Sequence, residues 1–453
     1  MSDYEKFRNS YPEFIYKSFE LSETDETINI KYNFEIKGLS EFSPEWKIRK
    51  KNSSPVTDDL KLRKLVFSLG MVELVSYWKI TCSPKVTVLC GQLDDKQIKW
   101  WKTQYFNGLG EFFYRNNIKP DFGSFMNIDS SEYSFSGNTI SRNLNGCLIP
   151  VGGGKDSIVT LDLLKESAKE NCCYLINRRE SIFQQAYTAG FNESDIVLAT
   201  RTLDKNMLRL NSEGFLNGHT PFSAIVAFSA VIAAYINDKK YVVLSNEASA
   251  NESTVKGMDV NHQYSKSFEF ENDFVTYEKE YIDSGVFYFS LLRPLSEFQI
   301  AKHFAKLRPF HKLFRSCNVG SKKDSWCGNC SKCLFVFIIL SPFLPYEEIC
   351  CALGNDMANR EDMLTTFQQL IGITDEKPFE CVGSRDEINY SVTKAIENLE
   401  SSGTKLPFLF EYYKKTGLYA EYKTKNNPLY TYYNSVNNLP EEFAAIVRKK
   451  CYD

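Results

Sequence analysis

A short apolar strand, three consecutive glycines and an amphipathic helix follow one another in residues 147–164, CLIPVGGGKDSIVTLDLL. Glycines let backbone N–H groups approach a phosphate closely, and the helix that follows directs its free N–H groups at the same point. Ser157 adds a hydroxyl donor and Lys155 a positive charge, whereas Asp156 repels phosphate unless a cation such as Mg²⁺ lies between them. The predicted phosphate-binding residues are Gly152, Gly153, Gly154, Lys155, Asp156 and Ser157.

Short apolar strands alternate with helical stretches from about residue 141 to residue 345. The predicted strands are 147–151, 172–176, 195–198, 241–244 and 286–291, and the predicted helices include 156–167, 221–236 and 299–305. This alternation is typical of parallel βαβ units in an α/β sheet. We therefore predict an α/β domain with a parallel sheet over residues 141–345. An α+β N-terminal domain (residues 1–140) is expected to precede it, and a mostly helical C-terminal extension (residues 346–453) to follow it.

Four of the 13 cysteines follow the spacing C-x9-C-x2-C-x2-C, and they are Cys317, Cys327, Cys330 and Cys333. Four thiolates are the number that a tetrahedral zinc ion takes, and Gly328 suits the tight turn of a zinc knuckle. Because sulfur fills all four positions, a structural role for zinc is favoured over a catalytic one. An iron–sulfur cluster and four unrelated buried cysteines are the alternatives.

The charge balance argues against a nucleic-acid binder. Lys and Arg number 54 and Asp and Glu number 57, which gives a formal net charge of −3. Such a chain has no global attraction for a polyanion. The longest apolar stretches are shorter than the roughly 20 residues that cross a bilayer, and no secretory signal opens the chain. We expect a cytoplasmic protein that binds neither nucleic acid nor membrane; the oligomeric state is not indicated.

The glycine loop resembles the pyrophosphate loop of the PP-loop ATP pyrophosphatases, whose pattern is Ser-Gly-Gly-x-Asp-Ser. This chain carries Gly152 where that family usually has serine, so backbone N–H groups must replace one hydroxyl donor. The family splits ATP between its α and β phosphates and forms an adenylated intermediate. The resemblance implies that ATP and Mg²⁺ bind here and that AMP and pyrophosphate are released. A similar cysteine pattern follows the nucleotide domain in the members that make cyano-deazaguanine.

Further segments resemble one family, the ATP-dependent UDP-N-acetylmuramoyl-L-alanyl-L-glutamate epimerases of peptidoglycan precursor synthesis. The segments are residues 69–79, 108–114, 151–157, 217–221, 244–252 and 261–270. The resemblance implies a UDP-muramoyl dipeptide substrate whose glutamate α-carboxylate is adenylated, which acidifies Cα–H. A base then removes the proton, an acid returns one to the other face, and water cleaves the adenylate. The N-terminal domain is expected to cover the sugar or peptide part, and no pyridoxal phosphate is needed.

The acid and the base cannot be assigned from the pattern, but four residues are candidates. His219 and His262 lie in polar loops that we expect near the carboxyl ends of strands, where open α/β sheets bind ligands. Glu247 follows the predicted strand 241–244 and is a candidate base or Mg²⁺ ligand. Lys266 is a candidate partner of phosphate or of the developing enolate. For each residue the alternative is a structural hydrogen bond or a solvated surface position.

Three further interpretations remain open. The basic segment 302–323, together with Arg293, is a candidate site for the UDP diphosphate, with a solvated helix face as the alternative. The cysteine cluster also fits another PP-loop enzyme, one that makes cyano-deazaguanine or thiolates tRNA. The glycine at position 152 also fits a non-enzymatic ATP-binding scaffold in which zinc is a structural staple.

Overall fold

The structure, a computed structural model, describes residues 2–51, 55–248, 264–320 and 323–452. Within these residues it contains eleven strands and seventeen α-helices. The strands are β1 (Glu13–Glu23), β2 (Thr27–Ile36), β3 (Ser40–Phe42), β4 (Glu45–Arg49), β5 (Lys85–Val88), β6 (Asn127–Ser130), β7 (Cys147–Pro150), β8 (Cys172–Ile176), β9 (Ile196–Thr202), β10 (Tyr241–Leu244) and β11 (Phe287–Ser290).

The helices lie between and after these strands. They are α1 (Asp3–Ser10), α2 (Leu60–Trp78), α3 (Asp95–Gly108), α4 (Gly110–Arg115), α5 (Lys155–Leu163), α6 (Glu180–Thr188), α7 (Lys205–Ser212), α8 (Phe222–Ile236), α9 (Phe268–Tyr277), α10 (Glu297–Phe304), α11 (Ser331–Leu340), α12 (Tyr346–Leu353), α13 (Leu364–Ile371), α14 (Arg385–Ser401), α15 (Phe408–Lys415), α16 (Leu418–Thr424) and α17 (Glu441–Tyr452). The predicted helical C-terminal region is confirmed by α12 to α17. Among the described residues, every helix falls short of the length and apolarity that a membrane crossing requires.

All eleven strands belong to one mixed sheet. Ten of them follow the order β11-β10-β7-β8-β9-β4-β2-β1-β5-β6, and β3 pairs with β2. The five strands from β11 to β9 are parallel, as predicted. The N-terminal strands extend the same sheet through the antiparallel pair β4–β9, in which Ile48 lies opposite Ala199. The divisions at residues 140 and 345 stay predictions, and strands from both sides of residue 140 pair in this sheet.

Both faces of the parallel strands are covered, so their side chains alternate between two cores. In β8, Cys172 and Tyr174 pack in the core that contains α2 and α8. Cys173 and Leu175 point to the opposite face, into the core that contains α5, α10 and α11. Burial on both faces explains why these strands read as continuous apolar runs.

The chain order reverses between β7 and β10. Strands β8 and β9 lie on one side of β7, whereas β10 and β11 lie on its other side. In doubly wound sheets, ligands bind outside the carboxyl ends of the strands at such a reversal. The glycine loop follows β7 at this point, and Glu247 lies three residues beyond the end of β10.

Candidate active site

Three hydrogen bonds to the carbonyl oxygens of Gly152 and Gly153 fix the glycine loop. Arg179 donates to the Gly152 oxygen at 2.9 Å. The Gly153 oxygen accepts from the Gln185 side chain at 2.9 Å and from the Arg315 backbone N–H at 2.7 Å. With its carbonyls bonded to the surrounding protein, the loop leads directly into the N-terminus of α5, the arrangement that binds phosphate groups.

The backbone at Gly153 requires glycine. Its φ is +93°, a conformation that other residues rarely adopt, and a Cβ there would lie 3.2 Å from Cγ1 of Ile182. Gly154 is the N-cap of α5 and supplies no capping side chain. Ser157 is buried in the first turn of α5 and donates to the Gly154 oxygen at 3.1 Å.

Three carboxylates meet beside this loop. Asp156 in the first turn of α5, Glu247 after β10 and Glu297 at the start of α10 each offer an oxygen, and these atoms lie within 4.8 Å of one another. Glu247 and Glu297 are buried, and Asp156 is partly exposed. Oxygen ligands of this kind suit Mg²⁺. The structure thus brings together two residues that the sequence predicted, Asp156 and Glu247, with one that it did not.

Lys155 is buried between two of these carboxylates. Its ammonium group contacts both Asp156 and Glu297. Burial raises the pKa of Glu297 to about 8 against the pull of Lys155, and the charges of Asp156 and Glu247 add to the rise. Burial also opposes ionisation of Asp156, but the Lys155 and Lys332 ammonium groups outweigh it and lower the pKa of Asp156. The three carboxylates thus lie in a buried cluster of opposite charges, and their oxygen atoms are close enough together to hold a metal ion.

Glu297 was missed because the predicted helix began two residues later, at residue 299. The structure starts α10 at Glu297, with Ser296 as the N-cap and Gln299 completing a capping box. The capping pattern Ser-x-x-Gln was the available signal. It places Glu297 in the first helical turn after β11, and hence at the same edge of the sheet as Glu247.

Lys266 lies close enough to Glu247 and Asp156 for their charges to act on it. Its Nζ is 3.1 Å from Sγ of Cys381. The Lys332 ammonium group, at the start of α11, contacts the Cys381 backbone oxygen. The interaction with Cys381 raises the pKa of Lys266 against the effect of burial, and Glu247 and Asp156 raise it further. Lys266 is therefore a cation facing the carboxylates.

Arg293 is buried in the protein and does not line a site for the UDP diphosphate, contrary to the expectation from the sequence. Its guanidinium group is fully buried and pairs with Glu271 at 3.0 Å, so the side chain is not available to a diphosphate. It donates instead to the backbone oxygens of Glu247 at 2.9 Å and Lys266 at 2.7 Å. Arg293 is thus a positioning residue that fixes two of the predicted site residues. Arg315, from the basic segment 302–323, binds the glycine loop.

Of the two histidine candidates, the structure describes His219 only. His219 lies in the segment between α7 and α8, rather than directly after a strand, with Nδ1 3.3 Å from Oε2 of Glu111 in α4. Lys79 fixes this segment by donating to Thr220 Oγ1 at 2.6 Å and by contacting the Gly218 oxygen. His262 lies outside the described residues. The roles predicted for both stay predictions.

The four clustered cysteines come together before and within the first turn of α11. The Sγ of Cys317 is 3.9 Å from that of Cys330. The Sγ of Cys333 is 3.8 Å from that of Cys327 and 3.5 Å from that of Cys330. These separations are too long for a disulfide, in which the sulfurs are about 2.05 Å apart. The Gly320 and Cys327 N–H groups also donate to the sulfur of Cys317, which suits a metal-bound thiolate.

Comparison with known proteins matches most of the chain to one family. Residues 5–291 match the MurL N-terminal domain and residues 313–414 match the MurL C-terminal domain. No solved structure shows a significant match. Three relatives carry the name UDP-N-acetyl-α-D-muramoyl-L-alanyl-L-glutamate epimerase.

The relative from Xanthomonas oryzae pv. oryzae is 32% identical over 70% of this chain and 71% of its own length. The relative from Salinispora tropica is 34% identical over 74% of each chain. The relative from a Micromonospora species is 33% identical over 72% of this chain and 73% of its own. By these matches, the chain belongs to the MurL epimerase family.

Proposed function

We propose that this chain inverts the terminal L-glutamate of UDP-N-acetylmuramoyl-L-alanyl-L-glutamate to D-glutamate, and that ATP drives the inversion. The observation that carries the reaction is the match to both MurL domains, together with relatives named for this epimerisation. It favours the epimerase over a tRNA-thiolating or cyano-deazaguanine-forming enzyme and over a scaffold. Because the substrate is a UDP-linked precursor, we place the reaction in the cytoplasm.

Activation of the substrate explains why such an epimerase needs a phosphate loop. The Cα proton beside a free carboxylate is very hard to remove, because a second negative charge would accumulate on the same group. Attack of the carboxylate oxygen on the α-phosphate of ATP forms an acyl-adenylate and releases pyrophosphate. The mixed anhydride is neutral at the acyl carbon, so Cα–H becomes acidic enough for a side-chain base. Water then cleaves the adenylate to AMP and the epimerised acid.

The glycine loop is the candidate cradle for the ATP phosphates, in the manner of a PP-loop. Residues 152–154 precede the N-terminus of α5, whose free N–H groups and dipole favour an anion. The buried ammonium group of Lys155 neutralises Asp156 and Glu297, so Lys155 supports the carboxylates rather than binding phosphate itself. Asp156, Glu247 and Glu297 are the residues that would hold Mg²⁺, which would offset the charge of the phosphates.

The cysteine cluster fits a single zinc ion. Four sulfurs placed tetrahedrally at 2.3 Å from one ion are about 3.8 Å apart. The three sulfur separations here, 3.5, 3.8 and 3.9 Å, agree with that value. An iron–sulfur cluster would hold the sulfurs farther apart, because several ions and sulfides lie between them. Cys317, Cys327, Cys330 and Cys333 would therefore hold structural zinc.

Four residues remain candidates for handling the proton and the developing charge. Lys266 is placed to stabilise an enolate oxygen, because it stays cationic and lies beside the carboxylate group. Glu247 is a candidate base as well as a metal ligand. His219 and His262 are candidates for the opposite face of the substrate.

The test is chiral analysis of glutamate after incubation with ATP, Mg²⁺ and the UDP-muramoyl dipeptide, followed by acid hydrolysis. D-glutamate that appears only with ATP, in step with AMP and pyrophosphate, is the expected result. Asp156→Asn should lower the rate about 100-fold or more. Glu166→Gln, which removes an exposed carboxylate paired with Lys450, is the control and should leave the rate unchanged. Full turnover by Asp156→Asn, or no D-glutamate from the zinc-loaded protein, would overturn the proposal.

A further inference from the structure

An epimerase needs two groups that move protons on opposite faces of the same carbon. At the carboxyl edge of the sheet, Asp156, Glu247 and Glu297 form the candidate cation site, and Lys155 is occupied by two of them. Lys266 stays protonated beside these carboxylates and is a poor base. Among the described residues, Cys381 lies beside Lys266, with its Sγ 3.1 Å from Nζ, and a cysteine side chain can act as a general acid or base.

We propose that Cys381, paired with Lys266, is the side chain that exchanges the Cα proton on one face of the activated glutamate. This inference rests on the proposed function and adds a catalytic residue to it. The contact that carries it is the 3.1 Å separation between Sγ of Cys381 and Nζ of Lys266. A neighbouring cation is what converts a thiol into a reactive thiolate.

The structure also fixes the position of Cys381. The Glu380 carboxylate accepts from Ser331 Oγ at 2.8 Å and from the Lys332 backbone N–H at 2.6 Å, and the Lys332 ammonium group contacts the Cys381 oxygen. These bonds attach the cysteine to the first turn of α11, next to the cysteine cluster. The charge of Lys332 also acts on Asp156 and Glu297, so the same turn faces the carboxylates.

Cys381 differs from the cysteines that fill the cores. Burial raises the pKa of the Cys147 thiol to about 12 and that of Cys173 well above its ordinary value, so both stay protonated. Cys381 is only partly buried. Partial exposure beside a cation is the environment of reactive cysteines, whereas apolar burial makes a thiol inert.

The proposed step balances without an added reactant. The Cys381 thiolate takes the proton from Cα, so the C–H bond breaks and an S–H bond forms, and the electron pair moves onto the acyl oxygen as an enolate. A proton from a donor on the opposite face restores C–H with inverted configuration. Cys381 then returns its proton to water. Lys266 stabilises the thiolate before the transfer and lies close enough to the carboxylates to stabilise the enolate after it.

The experiment separates activation from proton exchange in the zinc-loaded protein. Wild type, Cys381→Ser and Cys351→Ser are compared for pyrophosphate release, for D-glutamate formation and for deuterium uptake at Cα in D₂O. Cys351 is an exposed cysteine in α12 and controls for loss of a thiol. Cys381→Ser should release pyrophosphate within about twofold of wild type while deuterium uptake and D-glutamate fall about 100-fold or more. Cys351→Ser should match wild type in all three.

Epimerisation by Cys381→Ser within threefold of the wild-type rate would overturn the inference while leaving the proposed function standing. Wild-type protein that forms neither D-glutamate nor pyrophosphate would instead overturn the proposed function. If the variant does not fold, alkylation of wild type with iodoacetamide decides: modification of Cys381 should be slowed by substrate and should track loss of deuterium uptake. Full modification with activity retained would contradict the inference, as would a substrate thioester on Cys381.

Discussion

The backbone N–H of Arg315 donates a 2.7 Å hydrogen bond to the carbonyl oxygen of Gly153, and this bond ties the cysteine cluster to the glycine loop. Ser316 lies against the next loop residue, since a Cβ at Gly154 would be 2.9 Å from its Oγ. Cys317 follows directly. The proposed zinc site and the proposed phosphate site therefore share the segment 315–317. We expect loss of the metal to alter the conformation of the glycine loop.

Loss of zinc is expected to weaken ATP binding as well as stability. A strong chelator or Cys330→Ser should lower the melting temperature, because a structural metal contributes its binding free energy to folding. It should also weaken ATP affinity about tenfold, because residues 315–316 no longer fix the loop. Metal analysis, thermal denaturation and titration calorimetry with ATP measure the three effects. Cys351→Ser is the matched control, and a zinc-free protein with unchanged ATP affinity would refute the coupling.

Adjacent glycines in the loop should differ in their tolerance of a side chain. Gly153→Ala must adopt a φ of +93° and place a Cβ 3.2 Å from Ile182, so we expect about 1–2 kcal/mol of destabilisation and a higher KM for ATP. Gly152→Ala meets no atom within 4 Å and should change stability by less than about 0.5 kcal/mol. Gly152→Ser restores the hydroxyl of the PP-loop pattern and should keep or lower the KM for ATP. Urea unfolding and steady-state kinetics check all three, and equal effects at both positions would contradict this account.

Arg293 should matter for both stability and turnover, for separable reasons. Arg293→Met leaves Glu271 buried without its cation, which costs about 3–5 kcal/mol. Arg293→Lys keeps the charge, but one ammonium cannot replace the fork that holds the Glu247 and Lys266 oxygens. We expect its kcat to fall about tenfold or more with a smaller loss of stability. Arg209→Lys, in an exposed pair on α7, is the control; wild-type kcat in Arg293→Lys would contradict the positioning role.

The pair formed by Asp162 and His303 should make stability depend on acid pH. It joins α5 to α10, the two helices whose first turns carry Asp156 and Glu297, at 2.8 Å. The hydrogen bond from His303, assisted by Lys165 against burial, lowers the pKa of Asp162 to about 2 from its ordinary value of 3.8. A lowered carboxyl pKa stabilises the fold above the unfolded value, and the contribution is lost as pH falls from about 4 to about 2.

Asp162→Asn should therefore be less stable than wild type by about 1 kcal/mol at pH 6, after allowance for solvent screening of this half-buried group. The difference should shrink below pH 4 and vanish near pH 2. Urea unfolding of both proteins across this range measures it. A stability difference that stays constant with pH would show that the lowered pKa of Asp162 is not its source.

The sequence predicted the central part of the fold well, because its signals are local. The strands Cys172–Ile176 and Tyr241–Leu244 begin and end where the apolar runs predicted. Their order in the sheet could not be predicted. The pairing of β4 with β9 brings residues near 47 beside residues near 200, and neither stretch carries a local sign of that partner.

The site was predictable where a motif spans adjacent residues, and not where separate segments meet. Asp156 stands next to the glycines, and Glu247 follows a recognisable strand. Glu297 joins them only through packing of α10, and Cys381 meets Lys266 only through packing of the segment before α14. Arg293 illustrates the reverse error: a basic residue near a predicted phosphate site looked like a ligand contact, but burial opposite Glu271 makes it a support.

The measurement that tests the central claim most directly follows one oxygen atom. The UDP-muramoyl dipeptide is prepared with ¹⁸O in the glutamate α-carboxylate and is turned over with ATP and Mg²⁺ in unlabelled water. An acyl-adenylate leaves one substrate oxygen on phosphorus when water attacks the acyl carbon, so we predict ¹⁸O in AMP and none in pyrophosphate. D-glutamate formed with unlabelled AMP would contradict attack of water at the acyl carbon. Label in inorganic phosphate together with ADP would contradict adenylation at this site.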